Sequence, residues 1–248
     1  GILYLQNNLI IFILTFIVGL LLTKEWLSLS ETKINLKQII FFVAPVALSF
    51  YFLEKFIALY LFTATFLWFG YSALLISKKS SLINSISFKN NYLGIFLMLS
   101  FLFSLIYLML FLEFPGMNKF FVLFLVLFNT ALVDVAAYLV GSSIGKTPLF
   151  PEISPNKTLE GFLGGLFAVL IFMISMYSID LISLELLVIS MLSIPFTFSG
   201  DYFESQLKRE QNVKDSGSLI PGHGGIWDRL DSHIAVVPIF VSFSILAI

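Results

Sequence analysis

Residues 92–112 read YLGIFLMLSFLFSLIYLMLFL, a run of 21 residues without a charged side chain. A helix needs roughly 20 apolar residues to cross the hydrocarbon core of a bilayer, so this stretch predicts a transmembrane helix. The whole chain has the same character, because 58% of its 248 residues are hydrophobic and 12% are charged. Soluble domains carry about 25% charged residues. The sequence therefore indicates an integral membrane protein.

The same length criterion gives eight candidate spans and an all-α fold class, a polytopic helical bundle. We expect N-terminal transmembrane helices in 1–119 and a catalytic transmembrane region in 120–248. The second span is short and contains Pro45, which favours a tilt, a kink or a tight hairpin with the third. The chain begins with Gly inside an apolar segment, which favours a trimmed or processed N-terminus and leaves open whether one upstream helix is missing. The spans are approximately 2–22, 39–53, 56–76, 92–112, 120–140, 161–179, 181–198 and 232–248.

Lys and Arg alternate from loop to loop. The loops after the first, third, fifth and seventh spans hold 3, 3, 2 and 4 of them, 12 in all, and the other loops hold 1, 1 and 0, two in all. Because cytoplasmic loops carry the excess of basic residues, the count places loops 141–160 and 199–231 together in the cytoplasm. We therefore predict a multi-pass protein of the cell membrane whose polar active site faces the cytosol.

Composition also excludes several classes of site. The net charge of −1 gives no global basic field for nucleic acid. The chain contains no Cys, which excludes disulfides, thiolate metal sites and a Cys nucleophile.

The loop 199–231 contains the densest run of ionisable residues, SQLKREQNVKDSGSLIPGHGGIWDRLD over 205–231. Basic side chains that can hold phosphates alternate with carboxylates that can hold a divalent metal. The glycines of this run let the backbone approach a ligand closely. For His223, a role in phosphate binding or loop ordering is expected ahead of a role as general base, since a phosphate is already ionised near pH 7. This pattern indicates chemistry on a phosphate-rich substrate at a membrane surface.

Two carboxylates are expected to face each other at the ends of the last two spans. If the seventh helix continues past the membrane surface, Asp201, Ser205 and Lys208 share one of its faces. The last helix is expected to begin near Trp227, with Asp228 in its first turn. Helices that follow each other in sequence usually have neighbouring ends, so Asp201 and Asp228 are predicted to share a Mg²⁺ site.

Asp134 lies inside the span 120–140, about six residues and roughly 9 Å from its cytoplasmic end. A carboxylate within a span costs roughly 2.5–3.5 kcal/mol on insertion scales, so we expect it to face a polar cavity beneath the two loops. The polar residues Asn129 and Thr130, one turn earlier, favour the same interpretation.

The loop 141–160 is expected to lead into a helix. Ser154 and Pro155 have the pattern of an N-cap and a first helical position, which would place Lys157 and Thr158 at a helix N-terminus that favours anions. The run GSSIGKT does not match a phosphate-binding P-loop, because the two glycines are only four residues apart and no strand precedes them.

Each of these features also has a simpler structural explanation. Asp134 could pair two helices or reach the interface, and loop 141–160 could be an ordinary capped loop. Asp228 and Asp231 also suit the dipole of a helix N-terminus, Glu204 and Lys208 could form a surface i,i+4 pair, and His223 could be a plain loop residue.

The motif-bearing residues resemble the phosphatidate cytidylyltransferases (CDP-diacylglycerol synthases). The resemblance covers roughly residues 120–235 and is most specific in a signature of 27 positions. This signature reads Ser205-x-Leu207-Lys208-Arg209-x4-Lys214-Asp215-x-Gly217-x2-Ile220-Pro221-x-His223-Gly224-Gly225-Ile226-x-Asp228-Arg229-Leu230-Asp231. Upstream matches are Asp134-x-x-Ala137-Tyr138-x-x-Gly141, Ser154-Pro155-Asn156-Lys157-Thr158-x-Glu160-Gly161 and Gly200-Asp201-x-x-Glu204-Ser205.

The resemblance implies a reaction of CTP with phosphatidate that gives CDP-diacylglycerol and pyrophosphate and depends on Mg²⁺, with room for a second cation. The implied partners are CTP, phosphatidate and bilayer lipid, and a homodimer is left open. The implied catalytic residues are Asp201, Asp228, Lys208 and Asp215, and the implied metal ligands are Asp201, Asp228, Asp215 and Asp231. The implied substrate-binding residues are Lys157, Thr158, Ser205, Arg209, Lys214, His223, Gly224, Gly225, Arg229 and Asp134.

The sequence leaves three other functions to compare with this one. A CTP-dependent enzyme could act on another lipid, such as a polyprenol or an archaeal ether lipid. A transporter is disfavoured because the polar residues concentrate at one membrane face and not at interrupted helices in mid-membrane. A CDP-alcohol phosphotransferase is disfavoured because the chain contains no Asp-Gly pair.

Overall fold

The structure, a computed structural model, describes residues 8–30, 36–77, 91–151, 153–219 and 224–247. Seven stretches of these residues are helical, long and apolar enough to cross a membrane. The protein is therefore an all-α, multi-pass membrane protein, as predicted. The described elements are α1 (Asn8–Ser30), α2 (Leu36–Ile76), α3 (Asn91–Leu110), α4 (Lys119–Ile144), β1 (Pro148–Phe150), β2 (Ser154–Thr158), α5 (Leu159–Ser178), α6 (Leu184–Ser193), α7 (Thr197–Glu210) and α8 (Trp227–Ala247).

The prediction of eight separate spans was wrong at the second and third. Helix α2 is continuous over 41 residues, and its candidate span is Glu54–Ile76, so the chain does not turn between the predicted spans. The charged pair Glu54 and Lys55 does not end the helix, because both residue types have high helix propensity. The predicted alternation of 12 against 2 basic residues between successive loops assumed a turn between the second and third spans. Because α2 runs through that position, the count no longer supports an alternation before α3.

Helices α6 and α7 form one candidate span of 27 residues, Leu184–Glu210. A single turn of 3₁₀ helix, Ile194–Phe196, joins them. Pro195 lies in this turn, where its missing N–H group is tolerated at a helix start. The helix continues to Glu210 beyond the predicted end at 198, which confirms that Asp201 and Lys208 lie on one helix.

A short antiparallel hairpin precedes α5. Strands β1 and β2 pair Pro148 with Thr158 and Phe150 with Ser154. The predicted N-cap at Ser154 was therefore wrong, since the four residues that follow it belong to strand β2 and the helix begins only at Leu159. The N-cap is Thr158, whose hydroxyl accepts a hydrogen bond from the backbone N–H of Gly161 at 3.2 Å.

Helices α4 and α5 pack against each other through small residues. A Cβ atom added at Gly161 would lie 2.7 Å from the carbonyl oxygen of Ala137, and one at Gly165 would lie 2.8 Å from that of Val133. Small residues four apart let two membrane helices approach closely. This contact fixes α4, which carries Asp134, against the start of α5.

Helix α8 lies at the centre of the bundle. All eight residues of Ile234–Val241 are buried. Each of them except Pro238 is at most 1% exposed. A helix that is apolar on every face is stable when other helices surround it. The buried position of α8 fixes the depth and rotation of its first turn, which carries Asp228 and Asp231.

Candidate active site

A cavity of about 730 Å³ opens at the end of the bundle where α4, α7 and α8 meet the β-hairpin and the start of α5. Its volume lies within the range of roughly 300–1,000 Å³ that small-molecule sites occupy. The predicted proximity of loops 141–160 and 199–231 is confirmed, because residues of both line it. The charged lining residues are Asp134, Lys157, Asp201, Asp228, Arg229 and Asp231.

Lys157 and Asp201 join the two sides of the cavity. The Lys157 ammonium forms an ion pair with the Asp201 carboxylate, and about a third of the lysine and a quarter of the aspartate side chain stay exposed. The same ammonium lies 5.0 Å from the ring centroid of Tyr202, within cation–π range. Asp201 is thus accessible from the cavity and has one protein cation beside it.

Asp231 lies next to Asp201 because α7 and α8 touch at Gly200. A Cβ atom at Gly200 would overlap the carbonyl oxygen of Asp231, so glycine alone permits this backbone contact. One Asp231 carboxylate oxygen accepts a hydrogen bond from the Ser232 N–H at 2.7 Å. Asp134, Asp201 and Asp231 all line the same cavity. The helix contact therefore concentrates negative charge at the cavity floor.

Asp134 reaches the cavity as predicted, but its polar neighbours do not. Its carboxylate accepts a long hydrogen bond, 3.5 Å, from the Ser232 hydroxyl. Asn129 and Thr130 are fully buried, and neither lines the cavity. The Thr130 hydroxyl donates to the carbonyl of Val126 within its own helix. The expectation that Asn129 and Thr130 mark the same polar cavity was therefore wrong.

Asp228 is the most heavily hydrogen-bonded carboxylate of the cavity. Its Oδ2 accepts from the N–H groups of Ser216 at 2.8 Å and Gly225 at 2.7 Å, and from the Ser216 hydroxyl at 2.9 Å. Its Oδ1 accepts from the Lys208 ammonium at 2.7 Å. With four donors on two oxygens, Asp228 shapes the loop that precedes α8.

Lys208 is held between two carboxylates. Its ammonium lies 2.7 Å from Glu204 and 2.7 Å from Asp228. The Glu204 side chain is 3% exposed and the Lys208 side chain is 14% exposed. The simpler explanation, that these two residues form an ion pair on the protein surface, was therefore wrong. Lys208 does not line the cavity, and its phosphate-binding role stays a prediction.

The structure leaves several predicted residues outside the cavity lining. Arg209, Lys214 and Asp215 are exposed, and Ser205 is partly buried on α7. Gly224, with φ of 84°, and Gly225 lie against Asp228 and Ser216 respectively. Thr158 lines the cavity, although its hydroxyl already accepts the cap hydrogen bond. His223 lies outside the described residues.

The interpretation that GSSIGKT is not a P-loop agrees with the structure. The run ends helix α4, and the N–H groups of Lys146 and Thr147 both donate to the Glu160 carboxylate at 3.1 Å. A protein carboxylate therefore takes the place that a phosphate would need.

Charge in the cavity favours a bound cation. Four lining carboxylates face two lining cations, Lys157 and Arg229. Within the described ranges, no three carboxylate or His side chains converge closely enough to hold a metal ion by themselves. Mg²⁺, however, is commonly held by one or two carboxylates together with water and substrate phosphates. Asp201 and Asp231 fit this pattern better than Asp228, whose two oxygens are already engaged.

Glu25 and Ser216 lie beside the cavity lining without forming part of it, and neither was predicted. Both side chains are buried, and the Ser216 hydroxyl lies 3.2 Å from the Glu25 carboxylate. In the sequence Glu25 follows the predicted first span and has the pattern of an interfacial residue. The contact joins positions 191 residues apart, so no local pattern could reveal it.

Comparisons with known proteins give a family and several relatives that the chain resembles. The profile of the family described as "Cytidylyltransferase family" matches residues 1–246. Among similar proteins is the phosphatidate cytidylyltransferase of Bacillus subtilis (strain 168), 48% identical over 109 residues, which are 42% of this chain and 40% of that protein. The enzyme of the same name from Staphylococcus aureus (strain COL) is 45% identical over 113 residues, 44% of this chain and 43% of that protein. The aligned part thus spans about two-fifths of each relative.

Proposed function

The chain belongs to the cytidylyltransferase family, and we propose that it transfers a cytidylyl group from CTP to phosphatidate, giving CDP-diacylglycerol and pyrophosphate. The observation that carries this proposal is the cavity at the end of an apolar bundle, in which acidic and basic side chains from α4, β2, α7 and α8 meet. The names of the similar bacterial proteins support the choice of CTP and phosphatidate.

The proposed chemistry is one in-line displacement. A phosphate oxygen of phosphatidate forms a bond to the α-phosphorus of CTP, and the bond to the oxygen that bridges the α- and β-phosphorus breaks. Pyrophosphate leaves with that bonding pair. Such a step depends mainly on positioning and charge neutralisation. Lys157 and Arg229 line the cavity and supply positive charge for the phosphates of both substrates.

We propose Mg²⁺ as the cofactor, held by Asp201 and Asp231. When bound, it would neutralise phosphate charge and orient the triphosphate. The residues around it act independently of the metal: Lys157 balances the charge of Asp201, and Gly200 keeps the α7 and α8 backbones in contact. Asp215 is exposed on the loop and does not line the cavity, so its role as a metal ligand stays a prediction.

The lipid substrate is proposed to enter from the bilayer beside α4 and α5. Tyr138, Leu139, Leu163 and Phe167 are each at least 53% exposed on the outer faces of these helices, and Tyr138 also lines the cavity. An apolar outer surface next to charged groups suits a substrate with a phosphate head and acyl chains.

The cavity is proposed to face the cytoplasm. From α4 to α8, six basic residues lie at the cavity end of the bundle and Lys119 alone lies at the opposite end. Basic residues in excess mark the cytoplasmic side, and CTP is a cytosolic nucleotide. The six are Lys146, Lys157, Lys208, Arg209, Lys214 and Arg229.

Single cysteines can test this orientation because the chain has none. Leu219 is 46% exposed at the cavity end, and Leu181 is 48% exposed in the loop between α5 and α6. An impermeant thiol reagent added to intact cells should label Leu181→Cys and leave Leu219→Cys unlabelled until the membrane is permeabilised. The reverse labelling pattern would contradict the proposed orientation.

The activity is tested with purified protein, labelled CTP, Mg²⁺ and defined lipids. We expect a lipid-soluble cytidine product and one pyrophosphate for each product molecule with phosphatidate. A polyprenol phosphate and an archaeal ether lipid serve as alternative acceptors. Product from one of these acceptors but not from phosphatidate would reject the proposed substrate, and no CTP-dependent product at all would reject the proposed reaction.

A further inference from the structure

Glu25 is a buried carboxylate from the N-terminal part of the chain that contacts the site without lining the cavity. Its side chain is 7% exposed. Its Oε1 accepts a hydrogen bond from the N–H of Ile226 at 2.8 Å, and its Oε2 accepts one from the N–H of Trp227 at 3.0 Å. These two N–H groups open helix α8, where the first four N–H groups of a helix have no partner within it. Glu25 therefore caps α8 from another helix.

The contact between α1 and α8 extends beyond this carboxylate. The indole N–H of Trp227 donates to the carbonyl of Leu22 at 3.0 Å. The rings of Trp26 and Trp227 lie 5.3 Å apart, a separation typical of interacting aromatic pairs. One turn of α1 thus contacts the first residue of α8 through its backbone and its side chain.

The loop before α8 is shaped around Glu25. A Cβ atom at Gly225 would overlap the Glu25 carboxylate, and one at Gly217 would lie 2.9 Å from its Oε1. Two glycines that were expected to admit a ligand therefore lie close to a protein carboxylate. A carboxylate buried in this way is stable when hydrogen-bond donors surround it, and the loop supplies those donors.

Ser216 connects Glu25 with Asp228. Its hydroxyl lies 3.2 Å from Glu25 Oε2 and 2.9 Å from Asp228 Oδ2. Asp228 in turn binds Lys208. The Ser216 hydroxyl has one hydrogen, so it donates to one of the two carboxylates at a time. Polar contacts within hydrogen-bond distance therefore run from α1 through Ser216 to the first turn of α8 and on to α7.

We propose that Glu25 is a positioning residue for the transfer reaction. It fixes residues 216–217, residues 224–226 and the first turn of α8 and thereby holds Asp228 and Arg229 at the cavity. The catalytic part of the site thus depends on a side chain from the N-terminal helices. The kinetic consequence rests on the proposed function, whereas the structural consequence, an ordered loop, does not.

The test compares Glu25→Gln with the wild type in two measurements. Glutamine has the same shape, but its NH₂ group must face either the Ile226 N–H or the Trp227 N–H, so one donor loses its acceptor. We expect the kcat/KM for CTP per folded molecule to fall at least about tenfold, which corresponds to about 1.4 kcal/mol. A spin label on Leu219→Cys, 46% exposed in the same loop, should become more mobile without any substrate present.

Glu185→Gln is the matched control. Glu185 is an exposed acidic residue in the first turn of α6, at the opposite end of the bundle, and its substitution should change neither measurement. Glu25→Asp keeps the charge but shortens the side chain, and both effects should be intermediate. If Glu25→Gln does not fold, Glu25→Asp is used in its place.

Wild-type label mobility together with wild-type kinetics per folded molecule would overturn the positioning role. So would a loss of activity that only follows the loss of folded protein, with an unchanged label spectrum. Failure of the proposed function shows itself separately, as a wild-type protein without CTP-dependent product. In that event the label comparison alone decides whether Glu25 orders the loop.

Discussion

Asp201→Asn is expected to lower turnover at least about 100-fold, the size of effect seen when a group that stabilises transition-state charge is removed. The substitution keeps the shape of the side chain and removes the charge that faces the cavity beside Asp231. Folding should be only modestly affected, because the ion pair with Lys157 is partly exposed and an amide oxygen can still accept a hydrogen bond from the lysine ammonium. The measurement is lipid-soluble cytidine product per folded molecule at several Mg²⁺ concentrations.

Asp180→Asn is the matched control for this substitution. Asp180 is exposed in the loop between α5 and α6 and has φ of 55°, a conformation that Asn also adopts readily. Its variant should keep wild-type turnover and the wild-type Mg²⁺ dependence.

Lys157→Ala separates two explanations of the Asp201 effect. If Asp201 serves only to pair with Lys157, the two single variants should be equally impaired and the double variant no worse. If Asp201 holds the cation, Asp201→Asn should be the more impaired, and raised Mg²⁺ should restore part of its turnover. Near-wild-type turnover of Asp201→Asn at limiting Mg²⁺ would contradict the proposed metal site.

Sequence reasoning predicted the helices where apolar length alone decides, as in 92–112, which forms α3. It failed at α2, because a bilayer-length rule cannot tell whether two apolar segments are separated by a turn. Glu54 and Lys55 were interpreted as a loop, but both residue types support a helix. The start of α5 was misplaced for a related reason, since pairing of β2 with β1 overrides the capping pattern at Ser154.

The site was predicted best at helix ends, where sequence order alone brings side chains together. Asp201 and Asp228 lie on helices that follow each other, and both line the cavity. Their different environments could not be predicted, because the donors to Asp228 come from the fold of the loop before α8. Glu25 was missed for the same reason, as its partners are about 200 residues away.

Asp228→Asn is expected to impair both stability and activity, in contrast to Asp201→Asn. The carboxylate accepts four hydrogen bonds, and an amide in its place must direct its NH₂ group at another donor. Hydrogen bonds to charged groups contribute about 1.5–3 kcal/mol each, so the midpoint of thermal unfolding should fall by several degrees. Turnover per folded molecule should fall at least about tenfold, because the loop and Lys208 lose their common partner.

Two further variants distinguish loop ordering from direct catalysis by Asp228. Ser216→Ala removes one of the four donors and leaves the charge of Asp228 intact, so its effects should have the same direction and be smaller. Lys208→Met removes the ion pair with Asp228 but keeps the three hydrogen bonds that Asp228 Oδ2 accepts. The same substitution also removes the ion pair of Glu204. If Asp228 acts mainly by ordering the loop, thermal stability and turnover should fall together across Ser216→Ala, Lys208→Met and Asp228→Asn. An Asp228→Asn protein with wild-type thermal stability and no turnover would instead assign Asp228 a direct role on the metal or the substrates.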